Sequence, residues 1–362
     1  MDSNLKYQNL KKKFKRVKKN CEICGSSRNE VFQSYGRTSF PGEYGLLKIV
    51  ICKNCGHKFQ NPNFSDNFYK EYYKELYREI AFDGKSPSNL YINQQKKRGK
   101  KVFDWYSGIY KSSIGRMLDH GCASGFTMAE WKRKGWDCYG IDPHRPSVLL
   151  GKKYGYNVEI SSGEDLKFKR KFFDVVLSLG SLEHSYDVNV SLRKIYFSLK
   201  DSGHLVVRWR SDKIFGSPLE YFNHNHYRFF TINCWKILLE KHGFKILVNS
   251  SKKIEGWESY DYFIAIKKTK KINLLESIKI NRLNYKKEIL KIKRTRKIYY
   301  SSCKKIINEF KKKLPSEVDF KKFLSREKIS WGLLGGNSKQ VISRSMLEAK
   351  RYIVEYDNGN VS

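Results

Sequence analysis

The sequence predicts an α/β protein built on a doubly wound parallel sheet, with a small cysteine-rich module before it and a basic helical extension after it. Three observations lead there. From Gly115 onward short apolar runs alternate with helical patterns, the signature of strand–helix–strand units. A glycine-rich turn, Gly121-Cys-Ala-Ser-Gly125, follows the first of those runs. Four of the eight cysteines fall into two Cys-x-x-Cys pairs ahead of it.

A chain of 362 residues has room for one medium α/β domain and smaller attachments. Aromatic residues make up 15% of it, enough to furnish a core. No apolar run approaches the ~20 residues that a membrane-spanning helix needs, so no transmembrane segment is expected. Met1 to Asn20 is polar and lysine-rich without a signal-peptide stretch, and the expected location is the cytoplasm. Paired cysteines with the rest scattered agree with a reducing compartment. The formal charge of +36 admits two readings. Clustered lysines are the footprint of phosphate binding. A chain rich in Lys, Asn, Ile, Tyr and Phe and poor in Ala also resembles the product of an AT-rich genome, where lysine is the default surface residue, and that reading is preferred.

Five segments follow in order. Residues 1–20 are a basic, low-complexity lead, expected to be mobile. Residues 21–62 hold the paired cysteines. Residues 63–113 contain a tyrosine-dense stretch, Phe68 to Tyr77, and a helix from about Leu90 to Tyr110 with Ile92, Val102, Phe103 and Tyr106 at helical spacing. In residues 114–268, Arg116–His120 reads as a strand and Phe126–Lys134 as a helix. Asp137–Ile141 is the next strand, Ser147–Tyr154 a helix, and Asn157–Ile160 a third strand. Phe173–Leu179 is apolar nearly throughout, as suits a strand buried on both faces. Helices over Val190–Leu199 and Asn233–His242 alternate with strands at Gly203–Trp209, Phe244–Val248 and Tyr260–Ile266. Residues 269–362 begin with long polar helices dense in Lys and Arg, broken at Pro315.

The turn after the first of these strands, Leu118-Asp119-His120-Gly121-Cys122-Ala123-Ser124-Gly125-Phe126, lets backbone approach a ligand and aims free N–H groups at it. Nucleotide-binding dehydrogenases use a similar turn, and an ordinary tight loop would also read this way. Downstream residues narrow the choice. Seventeen positions after Gly125 the next strand ends in Asp142, placed to accept hydrogen bonds from both hydroxyls of a ribose. Ser162-Gly163-Glu164-Asp165 follows the third strand, and the fourth opens with Phe173-Asp-Val-Val and runs on to Gly180-Ser-Leu-Glu183-His184.

In these four ordered motifs the segment resembles the class I S-adenosylmethionine-dependent methyltransferases, whose fold is Rossmann-like. Their first motif is Asp-x-Gly-x-Gly-x-Gly, their second strand ends in an acid, and their fourth often reads Phe-Asp-x-Val followed by Glu-His. The resemblance covers about 150 residues and departs at Ala123, where the family has its middle glycine; a methyl group is the smallest intrusion, and binding is expected to survive. It implies that Asp119 and the turn residues Gly121, Cys122, Ala123, Ser124 and Gly125 line the methionine portion of the cofactor. By the same resemblance Asp142 holds the ribose, Glu164 and Asp165 lie near the adenine, and Gly180 flanks the sulfonium.

Cys21-x2-Cys24 and Cys52-x2-Cys55 stand 27 residues apart, each pair followed by glycine. Two such knuckles supply four thiolates for a tetrahedral structural Zn2+, a zinc ribbon. His57 is an alternative ligand, while Cys122, Cys138, Cys234 and Cys303 read as ordinary core or surface residues. A ribbon ending near Asn61-Pro62, then tyrosines, then this core resembles a bacterial subfamily associated with sugar, polysaccharide or secondary-metabolite modification. Its sugar C-methyltransferases carry a further α/β domain, where this chain has a basic helical segment, so oxygen is the expected acceptor atom.

For the acceptor, His224-Asn-His226-Tyr-Arg-Phe-Phe-Thr231 precedes a helix; related methyltransferases have His-x-x-x-Phe-Thr here, on a loop over the substrate pocket. A histidine suits removal of a hydroxyl proton near neutral pH. His226 is the first candidate, then His224 and His184, with Glu183 orienting the last. The plain alternative is that Thr231 caps the helix while the histidines satisfy backbone groups. Arg208 and Arg210 read either as ligands for an anionic substrate such as a nucleotide sugar or as surface charges. The leading expectation is methyl transfer to a sugar, glycan or other small molecule. An RNA methyltransferase gripping phosphates with ribbon and tail is the alternative, and a noncatalytic scaffold is the third reading. Contact of the tail with an acidic partner or membrane surface is compatible with the first.

Overall fold

A computed structural model of the chain describes residues 3–37, 44–77, 87–110, 114–210, 226–249 and 260–268, together with isolated positions between 285 and 357. His224 and most of the helical segment expected over 269–362 lie outside the described residues.

The basic lead, expected to be mobile, is helix α1 (Ser3–Lys13) followed by strand β1 (Arg16–Val17). Its Tyr7 and Leu10 are buried, and Tyr7 lies 5.7 Å from the Tyr72 ring; two apolar residues among the lysines suffice to dock one face. The cysteine region forms β2 (Asn29–Arg37), β3 (Tyr44–Cys52) and β4 (Lys58–Gln60). Strand β5 (Asn63–Phe64) pairs with β1 and leads into α2 (Asp66–Glu71), which runs on as a π-turn over Tyr72–Leu76. Helix α3 (Asn89–Ile109) starts where the Ser88 hydroxyl accepts from Tyr91 N and buries Ile92, Val102 and Tyr106 on one face.

The alternating region follows: β6 (Arg116–His120), a 3-10 turn at Phe126–Met128 into α4 (Ala129–Arg133), β7 (Asp137–Asp142), α5 (Arg145–Lys153), β8 (Val158–Ile160) and β9 (Phe173–Leu179). Then come α6 (Val188–Ser198), β10 (Leu199–Arg210), β11 (Arg228–Phe229), α7 (Ile232–Lys241), β12 (Phe244–Asn249) and β13 (Tyr260–Lys267). Helices α5 and α6 begin two residues ahead of expectation because their caps, His144 and Asp187, accept from the backbone of the first turn. Thr231 caps α7 in the same way.

The chain divides into two compact units. One comprises Met1–Val17, Asn63–Ser211 and Phe230–Leu275 and holds a seven-stranded sheet in the order β12-β13-β10-β9-β6-β7-β8. Pairs among β8, β7, β6, β9 and β10 are parallel, while β13 runs antiparallel to both neighbours. Met117, Val175 and Leu177 on the central strands are buried against Trp131, Val148 and Val102. The strand order reverses between β6 and β9, and the crevice beyond the carboxyl ends of strands at such a point is where doubly wound sheets bind ligands. The other unit comprises Lys18–Pro62, Asp212–Phe229 and Glu276–Ser362. Its sheet runs β11-β4-β3-β2 around Phe32, Leu47, Ile49, Ile51 and Phe229. Asp212–Phe229, expected within the alternating domain, therefore joins the cysteine unit, because β11 is the edge strand of its sheet. Among the described residues no helix is long and apolar enough to cross a membrane.

Candidate cofactor pocket and metal centre

Strand β6 ends in the turn that the sequence singles out, and its backbone is fixed from behind. Gly121 N and Cys122 N both donate to Ile141 O at 2.9 Å. Gly121 has φ +79°, and a Cβ there would stand 2.4 Å from Ser181 Cβ, so only glycine fits. Ala123 also takes a left-handed φ of 52°, and its N–H donates to Asp142 Oδ2 at 2.8 Å. The other Asp142 oxygen accepts from His144 N at 2.9 Å. This carboxylate thus ties the glycine turn to the end of β7.

Asp119 is buried, and its Oδ2 accepts from the Thr127 hydroxyl. Burial pushes its carboxyl up to about 6, reinforced by the Asp142 charge and opposed by the Thr127 bond. Beside it, burial drives His120 down to about 4, so this imidazole is neutral. Its tautomer follows from the serines. Ser178 Oγ accepts from Leu182 N at 3.1 Å and lies 2.8 Å from Ser181 Oγ, while Ser181 Oγ donates to His120 O at 2.5 Å. Ser181 therefore accepts from His120 Nδ1–H, 3.0 Å away, and Nε2 is the bare nitrogen. That nitrogen rests on Gly163, where a Cβ would come within 2.0 Å of it.

An open cleft lies over these elements. Of the residues expected to bind a cofactor, Gly121, Asp142, Glu164 and Gly180 line it. Glu164 Oε1 accepts from Asp187 N at 3.0 Å. Asp119, Cys122, Ala123, Ser124, Gly125 and Asp165 fall outside the lining. Cys122 and Ser124 brace the turn, packed so closely on Gly140 and Gly151 that a Cβ at either glycine would clash. Asp165 accepts from Ser162 Oγ at 2.8 Å.

The opposite wall comes chiefly from the tyrosine-dense stretch. Tyr69, Lys70, Tyr73 and Tyr77 line the cleft, joined by Tyr186. The three tyrosines of the helical stretch recur every fourth residue, which puts them on one helical face. Among the histidines expected to act on an acceptor, His184 lines this cleft, its Nδ1 2.8 Å from the Tyr73 hydroxyl. Glu183 is buried outside the lining. His226 belongs to the other unit, where its carbonyl accepts from Gln60 Nε2 at 3.1 Å. Arg208 is no surface charge: it is buried, donates to Leu179 O at 3.1 Å and stands 4.0 Å over the Tyr260 ring. Burial, helped by the nearby Arg98 charge, lowers it to about 10.

In the cysteine unit, Gly25 N and Gly56 N donate to Cys21 O and Cys52 O at 2.7 and 2.8 Å, closing two equivalent knuckles on left-handed glycines. Sulfur pairs Cys21–Cys55 and Cys24–Cys52 stand 3.5 and 3.6 Å apart, and all four sulfurs lie within 4.8 Å of one another. A regular tetrahedron with metal–sulfur bonds of about 2.3 Å has edges of roughly 3.8 Å, so the cluster fits a zinc-sized ion. His57 is engaged elsewhere: it stacks on Phe59, and its Nε2 is 3.4 Å from Glu22 Oε1.

Residues 118–207 match the family model described as a methyltransferase domain. This stretch is a methyltransferase domain. Curated relatives of this domain include the ubiquinone biosynthesis O-methyltransferases of Azorhizobium caulinodans, 32% identical over 98 residues, and Bradyrhizobium diazoefficiens, 29% identical over 107 residues. These alignments cover 25% and 26% of this chain and 39% and 42% of those proteins, so the chain spans less than half the length of the relatives it matches. A solved structure, the 1,6-didemethyltoxoflavin-N1-methyltransferase of Burkholderia thailandensis, is 15% identical at a TM-score of 0.45, over 59% of this chain and 96% of that one.

Proposed function

We propose that the protein transfers the methyl group of S-adenosylmethionine to a hydroxyl oxygen of a small molecule, with sugars and glycans among the acceptors. The reading is carried by one observation: the glycine turn with Asp142 and the Tyr73–His184 pair face the same cleft. The cofactor brings the electrophile, a methyl on a positively charged sulfur. On this reading Asp142, which lines the cleft, accepts from the ribose hydroxyls. Gly121 and Gly180 keep side chains away from the reacting end. The tyrosine face holds the acceptor ring and excludes water, which strengthens every polar contact inside. His184, whose Nδ1 lies 2.8 Å from the Tyr73 hydroxyl, takes the acceptor's hydroxyl proton as the new bond forms.

The test separates binding from chemistry. Asp142→Ala is expected to weaken cofactor binding by roughly 1.5–3 kcal/mol, the scale of hydrogen bonds to a charged group. His184→Ala is expected to keep cofactor affinity and lose ~10²–10⁴-fold in turnover on a panel of phenols, sugars and sugar nucleotides. Calorimetry with unchanged affinity in the first variant, or full turnover in the second with loss in His226→Ala instead, overturns these assignments.

A further inference from the structure

The described residues His226–Phe229 bond to the strand that follows the second cysteine knuckle and to the first knuckle itself. Strand β11 pairs with β4 in the register Arg228↔Phe59 and Phe229↔Lys58. Just before it, Gln60 N donates to Tyr227 O at 3.1 Å, and the Gln60 side chain donates to His226 O at the same distance. The Arg228 side chain is only 3% exposed and donates through Nε to Glu22 Oε1. Glu22 stands inside the first knuckle, between Cys21 and Cys24. The same oxygen lies 3.4 Å from Nε2 of His57, which follows the second knuckle by two residues. One carboxylate of the first knuckle thus meets a group beside the second knuckle and one from the histidine segment.

We infer that Arg228 is a positioning residue through which metal occupancy of the four cysteines orders the His226–Phe229 segment. Glu22 is flanked by two thiolates that a bound ion would hold in fixed geometry, so its place depends on the ion. Without the ion the four sulfurs lose their common anchor, and with it the constraint that seats the carboxylate between Cys21 and Cys24 on Arg228. A buried guanidinium that loses its carboxylate cannot stay where it is without a large penalty. Strand β11 is only two residues long and contributes one ladder pair per residue, with Phe229 in the apolar cluster and Arg228 over the Tyr227 ring. The metal site then acts on the histidine-bearing loop as well as on its own fold. This inference does not depend on which acceptor the cleft takes.

Hydrogen-exchange mass spectrometry on the full chain tests it. Stripping zinc with a chelator is expected to speed exchange at 226–230 and 58–60 by tenfold or more, while 116–120 and 173–179 keep their protection. Arg228→Gln is expected to retain one zinc per chain by elemental analysis and still lose protection at 226–230. Arg228→Lys, which keeps the charge, is expected to restore part of it. Protection at 226–230 that survives both zinc removal and Arg228→Gln overturns the inference. So does loss of zinc from Arg228→Gln, which would make Arg228 a support of the metal site instead of its dependant.

Discussion

At the scale of single residues, Asp119 and His120 form an adjacent pair whose burial acts with opposite sign on stability. The Asp119 carboxyl is raised from 3.8 to about 6, so its contribution is fully present below pH 3.8 and is lost as pH rises through 6. His120 is lowered from 6.5 to about 4, so its contribution is present above pH 6.5 and is lost as pH falls through 4. Both effects are on the order of 3 kcal/mol and nearly offset between pH 4 and 6.5. Single substitutions should unmask them. Relative to the unaltered chain, Asp119→Asn should gain stability with rising pH across that window, and His120→Gln should lose it, each by about 3 kcal/mol. Urea midpoints at pH 4, 5.25 and 6.5 give the comparison, and parallel curves for all three proteins would show that the two burials are not coupled to titration. Asp119 was legible in the sequence as a motif residue. The role of His120 was not, because nothing in a linear pattern says that Ser178, Ser181 and Gly163 converge on one imidazole.

At the scale of elements, most strands and helices of the alternating region were legible because each is local: an apolar run, a cap, a glycine. What escaped depends on distant partners. Strand β11 is two residues long and finds β4 about 170 positions earlier, beyond any periodicity window. The reversal of β13 could have been read from length, since the ten residues between β12 and β13 are too few for the dozen or more that a parallel crossover needs. The tyrosines of α2 and its π-turn were visible as a cluster, yet their face has meaning only once the β6 turn stands opposite. The cysteine knuckles were the opposite case, because spacing alone specified a cluster that the sulfur distances fit. Their energetic weight can be measured. Cys52→Ser should abolish stoichiometric zinc and expose the β2–β4 sheet to protease, while the seven-stranded sheet keeps its cofactor affinity. Elemental analysis finding no zinc in the unaltered protein purified without chelator would remove the metal from this account.

At the scale of the whole molecule, the charge of +36 has to be reconciled with the small-molecule acceptor proposed for the cleft. Residues 269–362 contain 24 basic and 9 acidic residues, which leaves more than half of the surplus outside that segment. Along the described chain basic side chains are interspersed with acids, as Lys13 is with Glu71 and Lys200 with Asp174. Such exposed pairs add little stability, and they do not make the single basic face that grips a phosphate backbone. The expectation is therefore weak, unselective RNA binding that fades with salt. A single strand held through phosphates loses affinity with a log–log slope of about −0.7 per contact, so a handful of tail contacts would collapse between low and physiological salt. Filter binding from 25 to 200 mM salt, with the chain and with a version lacking 268–362, measures that slope directly. Methyl transfer to the small acceptor should persist at salt concentrations where RNA binding is gone. Nanomolar, sequence-selective RNA binding at physiological salt that disappears with the tail would reverse the assignment, since phosphates alone cannot supply selectivity and a built RNA site would then have to exist.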